Sequence, residues 1–222
     1  MMKPEAELRI DDAAVRADPA LVAVEELARA IDPEPEHAFQ VCALSLALFD
    51  ATQPVHGVGA AGRRRLAAAA LLHDTGWTNN PGAHHKGSRD VILGARLDGF
   101  SAVERRMIAC VARYHRKAHP APGHKVYGDL RGDEQAEVCR LASILRIADG
   151  LDRSHCGGTR VARVARRGGV FRLYVEQARP SPADLFGGMR KRGLFEETFG
   201  VRVDIVAEGG PGEVSPAPQN AR

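Results

Sequence analysis

Leu71-Leu72-His73-Asp74-Thr75-Gly76-Trp77 closes an alanine-rich apolar run and sets an imidazole beside a carboxylate where a helix should stop. Such a pair offers one nitrogen and one oxygen donor, a mixed set suited to Mn, Mg, Fe, Co, Ni or Zn rather than to soft metals. Neighbouring residues on an α-helix point about 100° apart, so the two converge on one ion most easily at a helix end. Gly76 supplies the expected stop. The competing account is a helix-end histidine beside a capping aspartate, and the pair alone does not decide between them.

The residues upstream read as helices. Pro19 to Ile31 is one, with Leu21, Val24 and Leu27 at helical spacing, and residues 1–18 form a loosely held lead-in. Asp32-Pro33-Glu34-Pro35-Glu36 predicts a second start: an N-cap Asp32, proline in the first turn and acids near the positive helix end. That helix runs to about Ala51 and carries His37, Val41, Leu44 and Leu48 on one face. His37 therefore points with the apolar stripe, as a hydrogen-bonded core residue or as a ligand. Gln53 to Gly62 reads as a loop, and Arg63 to Asp74 as the helix that delivers the pair.

Downstream, Asn79-Asn80-Pro81-Gly82-Ala83 is a turn, and His84-His85-Lys86 opens a helix to about Arg96. Those histidines are either a solvated helix start or further donors. Ser101 and Glu104 form a capping box for a helix to about Lys117, in which Ile108, Val111 and His115 share a stripe. After a Pro/Gly-rich loop, Asp133 or Glu134 begins a helix through Ser154. Val138, Leu141, Leu145, Asp149 and Asp152 follow its 3/4 spacing, so Asp149 stands where a core residue belongs. A carboxylate there is costly unless paired or metal-bound. A salt bridge to Arg146 or Arg153 is the alternative.

Past Cys156-Gly157-Gly158 the period changes. Val161–Arg166 and Val170–Gln177 alternate across Gly168-Gly169, a β-hairpin signal. A helix over Ala183–Phe199, interrupted by Gly187, Gly188 and Gly193, and a strand over Val201–Val206 follow. Residues 207–222 are Gly/Pro-rich and are expected to be disordered. The expected fold is mostly α: a helical domain over 19–156 and a small C-terminal α+β appendage over 157–206.

The 222 residues suffice for one sizeable core. No apolar run approaches the ~18 residues of a membrane span, and Met1-Met2-Lys3-Pro4-Glu5 lacks a signal-peptide core. Cys42, Cys110, Cys139 and Cys156 form no Cys-x-x-Cys and read as thiols of a reducing cytoplasm. A net charge of +3 argues against dedicated nucleic-acid binding. Only five basic residues are lysines, and arginine suits phosphate through its planar fork of donors. Successive apolar stripes thus bring His37, His73, Asp74 and Asp149 together as ligands for one divalent ion. One ion needs only these four; if a second binds, His85 and His115 would serve it, with Asp74 bridging.

The order His … His-Asp … His … His … Asp resembles the HD-domain phosphohydrolase superfamily. More narrowly, several strings resemble the C-terminal HD region of the exopolyphosphatase / guanosine pentaphosphate phosphatase family. They are His37-x-x-Gln40-Val41, Leu71-Leu72-His73-Asp74, His84-His85-Lys86, Ala112-Arg113-Tyr114-His115-Arg116-Lys117, Leu145-Arg146-Ile147-Ala148-Asp149-Gly150 and Leu194-Phe195-Glu196-Glu197. The resemblance implies an HD-type helical fold and a metal-dependent phosphohydrolase with His73 and Asp74 at the catalytic centre. A small phosphorylated substrate, a nucleotide above all, would meet Lys86, Arg116, Lys117 and Arg153, unless these form an ordinary solvated face. The alternative is a non-catalytic binding or regulatory module for nucleotide, polyphosphate or a partner catalytic protein, and a homodimer is open to either. The family's two-lobed actin-like domain, which holds its polyphosphate-hydrolysing site, has no counterpart in these residues. Gly87 also stands where the family more often has a histidine.

Overall fold

The computed structural model describes residues 12–78 and 80–208. The expected disorder of the tail, and most of the lead-in, lie outside these residues. From Asp12 onward the lead-in is folded, contrary to expectation: α1 (Ala13–Ala17) is capped by the Asp12 carboxylate, which accepts from Ala14 and Val15 N–H. Arg63 also donates to Asp12 at 2.7 Å, and Val15 is buried, so one cap and one apolar side chain anchor a segment whose composition is polar. α2 (Pro19–Ile31) starts on Asp18 and buries Leu21, Val24 and Ala28.

α3 spans Pro35–His56, five residues beyond its expected end and through Pro54. Burial overrides the breaker there. Thr52 and His56 face inward, His56 Nε2 donates to the Phe49 carbonyl at 2.8 Å, and Gly57 closes the helix in the left-handed region at φ 62°. Asp32 does not cap α3; its carboxylate accepts from Glu34 N–H one turn earlier, at the end of α2.

α4 (Ala60–Leu71) buries Ala67 to Ala70 completely or nearly so, which lets it pack close against α3 and α6 (Ala102–Arg113). α6 begins on the expected Ser101–Glu104 capping box, and α5 (His84–Gly94) packs beside it. A short α7 (Lys125–Gly128) lies within the Pro/Gly-rich loop. α8 (Gly132–Leu151) is the central helix: every residue from Leu141 to Asp152 is buried, so it is surrounded on all sides.

β1 (Thr159–Arg167) and β2 (Val170–Gln177) pair antiparallel across Gly168 and Gly169, both at positive φ. β3 (Arg202–Ala207) pairs parallel to β2 after a crossover through α9 (Pro182–Lys191) and α10 (Gly193–Phe199). Phe171, Leu173, Val175, Val203 and Ile205 form the inner face of the sheet and join the helices' core in one continuous cluster. The expected helical interruption at Gly187 and Gly188 does not occur; the break falls at Arg192, between α9 and α10. The chain is thus mostly helical with a small three-stranded sheet. Among the described residues no helix is long and apolar enough to cross a membrane.

Candidate metal centre

Three histidines enter the site by the same local device. His73 follows α4 and its Nδ1 donates to the Ala70 carbonyl at 2.7 Å. His115 follows α6, beyond the helix that was expected to carry it, and its Nδ1 donates to the Ala112 carbonyl at 2.7 Å. His84 opens α5, and its Nδ1 donates to the Pro81 carbonyl at 2.9 Å. A carbonyl only accepts, so in each ring Nδ1 carries the proton and a neutral ring keeps its lone pair on Nε2. Each device also satisfies a carbonyl three residues back, where a turn or helix end leaves carbonyls unpaired.

The Nε2 atoms converge on Asp74. Its Oδ1 lies 3.2 Å from His84 Nε2 and 3.5 Å from His115 Nε2, and its Oδ2 lies 3.7 Å from His73 Nε2. Burial drives His115 well below its ordinary pKa and lowers His84 as well, so both are neutral and present lone pairs. His73 Nε2 and Asp74 Oδ1 are buried without any hydrogen-bond partner. Acceptors facing acceptors in a buried space are unfavourable unless a cation lies between them.

The donors form two groups that share Asp74: His37, His73 and Asp74, and Asp74, His84 and His115, the atoms of each group lying within 4.8 Å of one another. This arrangement fits one or two divalent ions with mixed N/O ligands. Asp149, expected in the first group, stands beside it, with Oδ1 3.5 Å from His37 Nε2. His37 is oriented by Asp152, whose Oδ2 lies 2.8 Å from Nδ1. Burial works against a charge on His37, but Asp149 and Asp152 outweigh it and hold its pKa up at about 10. In the absence of an ion, this imidazolium bridges the two carboxylates.

His85 is not in the cluster, and His84 takes the place expected for it. Successive residues at a helix start point apart, so only one of the two can face Asp74. The two rings are perpendicular with centroids 6.2 Å apart. His85 Nδ1 is buried without a partner, and burial, with Arg116 and Arg113 nearby, brings its pKa down to about 4. Gly76 is not a left-handed stop either. A Cβ on it would lie 2.2 Å from Ser88 N and 2.5 Å from the His84 carbonyl oxygen, so its bareness lets the His73–Asp74 turn sit on the start of α5. That contact brings His84 to Asp74.

A cavity of about 670 Å³ opens over the cluster. Arg116, Lys117 and Arg153 line it, and so do Arg146, Arg190 and Lys191. Lys86 does not line it; its side chain is exposed on α5. Arg116 Nη1 donates to His84 Nε2 at 2.9 Å. Arg146 is not the partner of Asp149. It donates to the carbonyls of Tyr114, at 2.8 Å, and Lys117, at 3.2 Å, and so straps the turn that carries His115 and holds Lys117 at φ 61°. The partner of Asp149 is Lys191. Burial pushes the Asp149 carboxyl up, but Lys191 and His37 outweigh it and hold its pKa well below the usual range. His155, at φ 54°, stacks on His37 with centroids 3.9 Å apart, and Trp77 stands half exposed at the cavity mouth, 4.6 Å from the His84 ring.

Sequence reasoning missed His84 as the inward histidine, Asp152 as the orienting carboxylate, and Arg190 and Lys191 altogether. Asp152 had a visible signal, three residues after Asp149 on the same stripe. Lys191 had a fainter one, the i, i+3, i+7 series Asp184, Gly187, Lys191.

The family model described as Ppx/GppA phosphatase, domain III, matches residues 21–169, about two thirds of the chain and all of the clustered histidines and aspartates. No curated protein matches the chain.

Proposed function

The chain belongs to the Ppx/GppA phosphatase family, through domain III, and from that premise we propose that it is a metal-dependent phosphohydrolase of the HD superfamily. Its substrate would be a nucleotide or another phosphoester or phosphoanhydride. His37, His73, Asp74 and Asp149 would hold a first divalent ion, and His84 and His115 a second, with Asp74 shared. Bound there, the metal supplies Lewis-acid polarisation of phosphate and an activated water near neutral pH.

The residues of the chain do the rest. Asp152 and the three carbonyls fix the imidazole tautomers, so that Nε2 atoms face the ion site. Arg116, Lys117 and Arg153 bind and orient the phosphate from the cavity wall. Trp77 offers an aromatic face at the mouth on which a base can stack. The observation that carries this reading is the pair of buried, unpartnered acceptors, His73 Nε2 and Asp74 Oδ1, at the centre of the converging imidazoles. A scaffold without an ion has no use for them.

The test is phosphate release from nucleotides, pyrophosphate and polyphosphate by stripped protein given Mn, Mg, Co, Ni or Fe singly. Metal-dependent release that Asp74→Asn abolishes supports the proposal, whereas no release with any metal sinks it. The second reading, a regulatory module that binds a polyanion without turnover, is favoured by the cavity's charge: six arginines and lysines against Asp74 and Asp149. It predicts saturable nucleotide or polyphosphate binding with no release.

A further inference from the structure

Lys191 lies outside the family-matched residues, and the chemistry proposed above does not use it. Asp184, Gly187 and Lys191 lie on one face of α9, at i, i+3 and i+7. Asp184 accepts from Ser154 N–H at 2.7 Å and from the Ser154 hydroxyl at 3.0 Å, just past the end of α8. Gly187 rests on α8: a Cβ there would lie 2.2 Å from the Gly150 carbonyl oxygen. These two contacts bring the last turn of α9 over Asp149, and the Lys191 ammonium pairs with Asp149 Oδ2. The other oxygen of Asp149 faces His37, 3.5 Å from Nε2. One buried carboxylate therefore stands between an ammonium and the site of an ion.

A divalent cation and an ammonium within a few ångströms repel each other, strongly so where water is scarce. We infer that Lys191 is a counter-ion that Asp149 exchanges for the metal, and that the released ammonium becomes an anion-binding group of the cavity beside Arg153 and Arg190. The inference rests on the proposed function in one respect only, that an ion binds at this site. It makes metal loading and phosphate binding cooperative: until the ion takes Asp149, the ammonium is neutralised by that carboxylate. It also gives the C-terminal appendage a role as the element that reads the state of the metal centre.

The test is Mn²⁺ binding to metal-stripped full-length protein, measured by calorimetry for the wild type, Lys191→Met and Lys191→Arg. Without Lys191 the metal-free state leaves the buried Asp149 carboxylate with only His37, which it shares with Asp152, as a cationic partner. Lys191→Met should therefore bind Mn²⁺ about tenfold or more tighter than the wild type, while Lys191→Arg, which keeps the charge, should stay close to it. Inorganic phosphate should show the opposite order on Mn²⁺-loaded protein, binding about tenfold more weakly to Lys191→Met than to the other two. Should Lys191→Met not fold without metal, Lys191→Gln is measured in its place, since its amide still donates to Asp149 without carrying charge. Mn²⁺ affinity that is unchanged or weaker in the neutral variant overturns the inference, because Lys191 is then a strut that holds Asp149 in position. Wild-type protein that takes up no Mn²⁺ overturns the proposed function as well, so the two failures are told apart.

Discussion

Asp152 Oδ2 lies 2.8 Å from His37 Nδ1, and this contact decides which nitrogen of His37 faces Asp149 and the shared carboxylate of Asp74. Asp152 is buried at 1% exposure, and its other oxygen accepts from Gly157 N–H at 2.9 Å, so the carboxylate cannot turn away. It is an orienting residue rather than a ligand. Asp152→Ala should lower metal affinity about 10- to 100-fold, the range seen when an outer carboxylate is removed from a ligating histidine. The check is chelator competition on the folded variant. Unaltered affinity would mean that His37 is oriented by its stack on His155 instead.

Asp149→Ala should lose the first ion and hydrolysis with it, yet keep its metal-free fold. The mutation leaves Lys191 without its partner, but Lys191 lines an open cavity and can be hydrated there. Lys191 and His37 more than offset the desolvation cost of this carboxylate, so removing it takes away a net stabilising group. The metal-free melting temperature should therefore fall near neutral pH while the protein still folds. Equal metal content in mutant and wild type would show that Asp149 serves only Lys191 and His37.

Gly187→Ala should act at a distance from any ligand. The added methyl meets the Gly150 carbonyl at 2.2 Å and Arg153 Cβ at 3.1 Å, so α9 must move off α8. Overpacking of this kind costs about 1–3 kcal/mol. The displacement also carries Lys191 away from Asp149, so Mn²⁺ binding should shift in the same direction as in Lys191→Met. Urea unfolding and metal titration on one sample separate the two effects. A loss of stability without a change in metal affinity would detach Gly187 from the site.

Much of this was legible in the sequence because periodicity and capping are local signals. The Ser101–Glu104 box, the Gly168-Gly169 hairpin and the alanines of α4 each identify their element from a few adjacent residues. The inward direction of His37, His73 and Asp149 was legible because each extends or ends an apolar stripe. What could not be read depends on contacts far apart in the chain. Pro54 stays within α3 because Thr52 and His56 are buried by other elements. The choice of His84 over His85 is made by Gly76, whose bareness lets a turn rest on α5. Asp149 pairs with Lys191 rather than Arg146 because Gly150 and Gly187 allow two helices to cross closely, a contact between residues 37 positions apart in the chain.

His56 makes the fold sensitive to acid. It is buried, Nε2 donates to the Phe49 carbonyl at 2.8 Å, and Nδ1 accepts from Val58 N–H at 3.0 Å, so the folded state requires the neutral ring. Burial lowers its pKa below the ordinary value, which is about 6.5 in the unfolded chain. Between those two values the unfolded chain binds more protons than the folded one, so stability falls as pH drops below about 6.5 and levels off below the folded value. His56→Gln keeps a donor near the Phe49 carbonyl and removes the titration. The difference in melting temperature between wild type and variant should therefore shrink from pH 7.5 to pH 5.5, with other histidines cancelling in the comparison. A difference independent of pH would show that His56 is not held neutral.

The two adjacent histidines at the start of α5 give the sharpest test of the site. His84 Nε2 lies 3.2 Å from Asp74 Oδ1 and faces His115, whereas His85 belongs to neither donor group. A second ion that uses Asp74, His84 and His115 has one fewer ligand than the first and shares its carboxylate, so it should bind more weakly. Metal titration of stripped protein should then resolve two classes of site. His84→Ala and His115→Ala should each abolish the weaker class and leave the stronger one nearly intact, because His37, His73, Asp74 and Asp149 remain. His85→Ala should leave both classes in place and alter only stability, since it removes a buried ring whose Nδ1 has no partner. Hydrolysis should require metal beyond the first equivalent, with the second ion engaging the phosphate. Loss of the weaker class in His85→Ala but not in His84→Ala would reverse the assignment and place the turn before α5 in a different register from the one described.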